Sequence, residues 1–182
     1  NGVTIGYGVT IGDAAKIGYG VTIGYAAKIG DAAKIGYGVT IGNTAKIGNG
    51  VTIGYGAKIG NGVTIGDAAK IGYGVTIGNE VTIGDAAKIG NVTKIGNGVT
   101  IGNRVTLEGI KNARIMCLAN VDGSGRQIVL IYGEGKMMIR AGCFFGTVPE
   151  FVARAESEGK YIYAAVIPAT VEAWIKAMED TE

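Results

Sequence analysis

Apolar and polar residues alternate in a six-residue pattern along the first part of the chain. From Asn1 the sequence divides without a gap into hexapeptides such as NGVTIG, YGVTIG and DAAKIG. The third residue of each unit is Val, Ala or Thr, the fifth is Ile, and the fourth is always Thr or Lys, until Leu107 takes the Ile position. Two apolar positions around a polar one predict a short β segment with one apolar face. The other three positions favour small and turn-forming residues, which predicts a corner.

The first residue of each hexapeptide sorts with a period of 18 residues. Tyr occurs four times in succession at one position of this longer repeat, and every Asp of the hexapeptides falls at another. These residues are Tyr19, Tyr37, Tyr55 and Tyr73, and Asp13, Asp31, Asp67 and Asp85. Three hexapeptides therefore form one coil with three walls, and residues 1–107 make six coils.

The segment from Ile47 to Thr52, IGNGVT, recurs with small variations and resembles the hexapeptide-repeat, left-handed parallel β-helix family. That family includes many acyltransferases and the γ-class carbonic anhydrases. The resemblance implies left-handed coils and frequent assembly into trimers. We therefore expect a mainly β protein, with a left-handed parallel β-helix of six 18-residue triangular coils over residues 1–107 and a small α+β domain over residues 108–182.

Beyond Leu107 the repeat stops and the pattern predicts a meander followed by two helices. The predicted strands are 113–119, 127–132 and 137–141, and the predicted helices are 148–158 and 169–180. Thr147 and Glu150 form a capping-box pattern, and Gly159 ends the first helix. The second helix has apolar residues on one face, namely Val171, Trp174, Ile175 and Met178.

The C-terminal part is expected to cap the solenoid or to join subunits, because an open coil end is an exposed sheet edge. Residues 139–147 with Phe151 are also similar to a small module of prophage-encoded repeat proteins. That resemblance implies no activity.

The residues needed for chemistry in the resembling family are missing from the repeats. Its acyltransferases typically use a His base and loops that project from the coils, and its carbonic anhydrases hold zinc with His. This sequence contains no His, and residues 1–107 contain no insertion. We therefore expect no catalytic, cofactor-binding or metal-binding residue and no cofactor. The Asp residues, each followed three positions later by Lys, are interpreted as solvated ion pairs.

Charge and hydropathy give no sign of a nucleic acid or membrane partner. The chain carries 17 basic and 15 acidic residues, and its apolar runs are shorter than a membrane span. Cys117 and Cys143 lie in hydrophobic stretches without metal-ligand spacing, so buried structural thiols are expected.

The outward-facing fourth positions mix Thr with Lys on all three walls, which argues against a regular ice-binding face. The Tyr residues are better candidates for a binding surface than these Thr and Lys residues. Stacked Tyr19, Tyr37, Tyr55 and Tyr73 are candidates for a subunit contact or a carbohydrate platform, since tyrosine has an apolar body and a polar tip.

From the sequence we expect a non-enzymatic structural or assembly protein, a rigid spacer or fibre segment with a C-terminal cap or oligomerisation domain. A virion-associated, phage-encoded or extracellular setting fits that interpretation. The expected partner is another copy of the chain, in a trimer or, through the uncapped first coil, in an end-to-end filament.

The alternatives are an ice-binding or glycan-binding solenoid and a degenerate acyltransferase-like protein that lacks the catalytic His. An idealised or designed sequence would also show such regular units.

Overall fold

The computed structural model describes residues 2–107, 113–119, 121–124 and 126–179. The predicted end of the second helix at residue 180, and Asn1, lie outside these residues. The chain forms two compact units, Asn1–Ile115 and Met116–Glu182.

The first unit contains eighteen two-residue strands, one for each hexapeptide. They are β1 (Thr4–Ile5), β2 (Thr10–Ile11), β3 (Lys16–Ile17), β4 (Thr22–Ile23), β5 (Lys28–Ile29), β6 (Lys34–Ile35), β7 (Thr40–Ile41), β8 (Lys46–Ile47), β9 (Thr52–Ile53), β10 (Lys58–Ile59), β11 (Thr64–Ile65), β12 (Lys70–Ile71), β13 (Thr76–Ile77), β14 (Thr82–Ile83), β15 (Lys88–Ile89), β16 (Lys94–Ile95), β17 (Thr100–Ile101) and β18 (Thr106–Leu107).

Every third strand lies in the same parallel sheet. One sheet contains β1, β4, β7, β10, β13 and β16, and the other two are built in the same way from β2 and from β3 onward. Lys58 pairs with Thr40 in one sheet and Lys70 with Thr52 in another, so paired residues are 18 positions apart. The predicted solenoid of six coils is confirmed.

The axis of the solenoid is filled by the third and fifth residues of the hexapeptides. Val39 and Ile41 are 0% and 1% exposed, and the pair Val63 and Ile65 is equally buried. A fully buried Val or Ile contributes about 1.5–3 kcal/mol, so the repeated apolar pair is the main source of stability in this unit. Thr93 takes the third position once, and its hydroxyl donates to the Gly90 carbonyl at 2.9 Å. Because the buried hydroxyl has this hydrogen-bond partner, its burial costs little stability.

The corners depend on two different constraints. From Gly8 onward, the second residue of each unit has a positive φ, +65° at Gly56 and +51° at Ala26, because the chain turns there. The sixth residue is limited by space instead. A Cβ on Gly54 would lie 2.5 Å from the backbone nitrogen of Tyr73 in the next coil. Glycine at the sixth position therefore lets successive coils stack closely.

Asn and Asp at the first position cap the backbone of the preceding coil. The Asn43 backbone N–H donates to Oδ1 of Asn61 at 2.8 Å, and the Asp67 N–H donates to Oδ1 of Asp85 at 2.9 Å. This arrangement corrects the interpretation of the Asp residues as ion-pair partners of Lys. Within the described part of the chain, no ion pair joins these Asp residues to the Lys residues that follow them.

The second unit is an antiparallel meander with two helices. Its elements are β19 (Arg114–Ala119), which begins at the end of the first unit, β20 (Gln127–Gly133), β21 (Lys136–Ala141), β22 (Phe144–Thr147), α1 (Val148–Ser157) and α2 (Tyr161–Glu179). The strands are ordered β19-β20-β21-β22. The core of this unit includes Leu130 and Ile139 from the sheet, Phe151 from α1, and Tyr163 and Ile167 from α2. The predicted α+β C-terminal fold is confirmed.

The helix α2 begins at Tyr161, eight residues before its predicted start. Tyr163, Ile167 and Val171 are spaced by four residues and all are buried, so one apolar face continues through Pro168. The prediction began the helix at residue 169, and Pro168 lies inside the observed helix although proline removes a helical hydrogen bond. Packing of this face against the core maintains the helix.

Two further details differ from the sequence predictions. Residues 144–147, to which the sequence analysis assigned no element, form β22, which pairs with β21 through Arg140 and Phe145. Cys143, predicted to be buried, is exposed because it lies in the turn before β22, whereas Cys117 is half-buried in β19. Among the described residues, no helix has the length and apolar composition to cross a bilayer.

Candidate functional site

The predicted Tyr column is formed as the spacing requires. The Tyr19 and Tyr37 rings stack with their centroids 5.9 Å apart, and those of Tyr55 and Tyr73 stack at 5.0 Å. All four side chains are exposed, from 74% at Tyr19 to 40% at Tyr73. We call these four residues the Tyr column. It offers an apolar strip with hydroxyl groups, the surface chemistry of a protein or ligand contact.

A second stacked pair lies at another corner, which the sequence analysis did not single out. Tyr7 and Tyr25 have ring centroids 6.1 Å apart and are 84% and 54% exposed. The Tyr25 backbone N–H is capped by Oδ1 of Asn43, at the point where this corner changes from Tyr to Asn.

Glu80 is one of four described corner residues of the solenoid with a positive φ that are neither Gly nor Ala, and it is the one among them with a carboxylate; the others are Thr44, Val92 and Arg104. Glu80 has a φ of +58° at a position where most units carry Gly or Ala, and its side chain is exposed. A residue with a Cβ in this backbone region costs about 1 kcal/mol or more. Asp31, Asp67 and Asp85 accept backbone hydrogen bonds with their carboxylates. The Glu80 carboxylate makes no such bond with a described residue.

A second polar cluster lies in the C-terminal unit. The Tyr163 hydroxyl donates to Oδ1 of Asp122 at 2.6 Å, and the Ser124 hydroxyl donates to the same oxygen at 2.5 Å. The Ser124 bond, followed by the Tyr163 bond, lowers the pKa of Asp122 to about 2. Burial, together with the adjacent carboxylate, raises the pKa of Tyr163. The sequence showed Asp122-Gly123-Ser124 only as a turn, because the contact with Tyr163 depends on the tertiary fold.

Glu158 lies between two cations at the end of α1. It accepts from Lys160 and, at 2.8 Å, from Nε of Arg154. The Lys160 hydrogen bond and then the Arg154 bond lower the pKa of Glu158 to about 2, so its carboxylate is ionised in all but strong acid. Across the described residues, no cluster of three His, Cys, Asp or Glu side chains is placed to hold a metal ion.

The fold therefore defines a parallel β-solenoid built from hexapeptides, with an appended α+β unit. The family model described as bacterial transferase hexapeptide, six repeats, matches residues 26–61 and 44–79. Together with the six-coil solenoid, this match shows that the repeat region belongs to the hexapeptide-repeat left-handed β-helix family.

Several solved structures are similar to the chain. A variant of perosamine N-acetyltransferase from Caulobacter crescentus, in complex with CoA and GDP-perosamine, is 23% identical, with a TM-score of 0.43, over 59% of this chain and 48% of its own. The acetyltransferase domain of PglB from Neisseria gonorrhoeae, in complex with acetyl coenzyme A, is 17% identical, with a TM-score of 0.42, over 59% and 51%.

The UDP-N-acetylglucosamine acyltransferase from Campylobacter jejuni is 19% identical, with a TM-score of 0.32, over 76% of this chain and 72% of its own. The chain spans about half the length of the first two of these structures. No curated protein matches the chain.

These comparisons correct the functional expectation from the sequence. The expectation of a non-enzymatic structural protein is wrong, because the family model that matches the repeats describes a bacterial transferase. The phage-encoded setting also receives no support from them. The acyltransferase-like alternative agrees with the comparisons better than the structural-protein interpretation does.

Proposed function

We propose that the chain is an acyltransferase-like protein that binds a thioester acyl donor and transfers the acyl group to an amine. The observation that carries this proposal is the match of residues 26–61 and 44–79 to the transferase hexapeptide model. In the reaction, the amine nitrogen attacks the thioester carbonyl, an amide bond forms, and the carbon–sulfur bond breaks. The amine proton passes through a general base to the leaving thiolate.

Glu80 is our candidate for this base. The sequence contains no His, so a carboxylate is the side chain most suited to accept the proton. Three solenoid Asp residues are occupied as backbone caps, whereas the Glu80 carboxylate is exposed on a strained corner. Glu80 therefore has the freedom to contact a substrate that lies along the solenoid.

The test measures donor binding and turnover separately. We expect acetyl-CoA to bind in calorimetry, and free CoA to appear in chromatography when amine and amino-sugar acceptors are added. Glu80→Gln should retain binding and lose at least about tenfold in turnover. Glu134→Gln is the matched control, because Glu134 is also exposed and has a φ of +51°. Absence of acetyl-CoA binding would disprove the proposed function, and equal turnover of the two variants would exclude Glu80 as the base.

We also propose that the Tyr column is a contact in a homotrimer. Its four exposed rings form an apolar strip along one corner of the solenoid, and aromatic residues are enriched at subunit contacts. The family resemblance supports the trimeric state.

Light scattering tests the assembly. The expected mass is three times the 18.5 kDa of one chain. The double variant Tyr37→Ser/Tyr55→Ser should dissociate, while Tyr7→Ser/Tyr25→Ser, which removes the stacked pair at another corner, should not. A single-chain mass for the unmodified protein, a filament, or equal effects of the two double variants would contradict the proposal.

A further inference from the structure

A cavity of about 530 Å³ lies within the C-terminal unit. It is bordered by the start of β20, the turn between β21 and β22, α1 and the start of α2. This volume is in the range of sites that hold small organic molecules. The family comparison concerns residues of the solenoid and assigns nothing to this unit.

The interior of the cavity is apolar and aromatic. Ile128, Phe151, Ala155 and Tyr163 line it and are each less than 8% exposed, and Phe144 adds a half-buried ring. Phe151 packs edge-to-face against both Phe144 and Tyr163, with centroids 5.5 and 6.4 Å apart. These contacts hold the rings in a fixed arrangement, so the cavity presents a preformed apolar surface.

The rim of the cavity is positively charged. Arg126, Arg154 and Lys160 line it, together with a single carboxylate, that of Glu158. Glu158 is held by Lys160 and Arg154, and Arg154 also lies over the Phe144 ring, 5.8 Å from its centroid. The Arg126 guanidinium forms no ion pair with any residue in the described segments. It is therefore the rim cation available to a ligand.

We propose that this cavity binds a small organic acid that has an apolar body and one carboxylate group. The apolar body lies against the aromatic interior, and the carboxylate accepts two hydrogen bonds from Arg126, whose planar fork matches that group. The rim has three cations and one carboxylate, so it is positive overall and disfavours cationic ligands, and Arg126 is the cation that does not pair with Glu158. This inference stands independently of the proposed acyl transfer, because it uses residues of the C-terminal unit only.

Calorimetry of the full chain with octanoate tests the proposal. We expect one octanoate to bind per chain, and binding to weaken as salt is added. Arg126→Gln should weaken binding about tenfold or more, while Arg126→Lys should weaken it less because the charge remains. Lys136→Gln is the matched control, since Lys136 is exposed in the same unit and does not line the cavity. No binding, or an equal loss in Arg126→Gln and Lys136→Gln, would overturn the proposal.

Cys143 provides a second, independent readout. Its exposed thiol lines the cavity, so bound octanoate should slow its alkylation by iodoacetamide, measured by mass spectrometry on the peptide that contains Cys143. Octanol, which has the apolar body without the charge, and inorganic phosphate, which has charge without the body, should each protect at least about tenfold more weakly. Ala141→Phe should fill the cavity and abolish protection by octanoate. Equal protection by octanol, by phosphate or in Arg126→Gln would contradict the assignment.

Discussion

Each corner residue of the solenoid meets a separate requirement. The second position needs a left-handed backbone, which Ala26 adopts as well as Gly56, at a cost in strain but without a clash, so several residue types occur there. The sixth position needs the absence of a side chain, because the next coil approaches too closely. The first position needs either a side-chain oxygen that caps the preceding coil or a ring that stacks on its neighbour. Glycine is therefore required at the sixth position of the hexapeptide, whereas the second position also accepts other residue types.

Two alanine substitutions at neighbouring glycines should therefore differ in effect. Gly54→Ala should destabilise the solenoid by about 3 kcal/mol or more, because the new Cβ would lie 2.5 Å from the Tyr73 nitrogen and 2.6 Å from the Gly72 carbonyl carbon. Gly56→Ala should cost about 1 kcal/mol, since it adds only backbone strain and meets nothing within 4 Å. Thermal unfolding followed by far-UV circular dichroism measures both. Equal melting temperatures for the two variants would refute this explanation.

The Asn caps give a prediction with a conservative control. Asn61→Ala should lower stability by about 1 kcal/mol, because the Asn43 N–H loses the Oδ1 acceptor at 2.8 Å. Asn61→Asp keeps the acceptor, as Asp85 does for Asp67, and should be close to neutral. Denaturant titration distinguishes the two, and a loss that is as large for Asp as for Ala would show that the cap contributes nothing.

At the scale of elements, the strands and the helices were predictable to different degrees. The order of Tyr and Asp at the corners was enough to predict the 18-residue coil, because hexapeptides of the same sequence adopt the same local conformation. The extent of α2 was not predictable, since Pro168 normally ends a helix and only the packing of Tyr163 and Ile167 in the core overrides that tendency. The cavity was also unpredictable, because it exists only where three strands and two helices meet. The sequence shows that Glu80 stands where most hexapeptides have Gly or Ala, but it does not show the strained backbone of that residue.

Replacing the internal proline should strengthen α2. In Pro168→Ala the backbone N–H is restored and the ring no longer crowds the Ala164 carbonyl, so we expect stability to rise by about 1–3 kcal/mol. Ala165→Pro, one turn nearer the start of the helix, should instead destabilise it by a comparable amount. Helix content and melting temperature measure both changes. A less stable Pro168→Ala variant would indicate that the proline is needed for packing.

At the scale of the whole molecule, the two units are stabilised in different ways. The solenoid repeats one small set of contacts along its length, whereas the C-terminal unit depends on a single mixed core and on ionised side chains. Trp174 is the sole tryptophan of the chain and packs against the core of the second unit. Its fluorescence therefore reports the unfolding of that unit separately from the solenoid.

The C-terminal unit should lose stability in acid. The pKa values of Asp122 and Glu158, both about 2 in the folded unit, lie below those of the unfolded chain, so the unfolded state binds more protons as the pH falls. The stabilisation is fully present above about pH 4.5 and is lost as the pH approaches 2. Trp174 fluorescence in urea measures it.

Glu158→Gln should reduce the acid dependence, because the depressed pKa of Glu158 is removed. Glu134→Gln, which removes an exposed carboxylate of the same unit that has no hydrogen bond from a described side chain, should leave the acid profile of the parent chain in place. If Glu158→Gln and the unmodified chain lose stability equally between about pH 4.5 and pH 2, the ionised Glu158 does not stabilise the folded state.

The pairing of every residue with one 18 positions away also limits how this protein can change in length. Loss of a single hexapeptide would shift all later residues by one wall, so that rings would meet amide side chains and the caps would face the wrong partners. Loss or gain of three hexapeptides would leave every column intact. Viable length variants of the solenoid should therefore differ from one another by whole coils. Duplication of a complete coil is the simplest genetic route by which such a chain can grow.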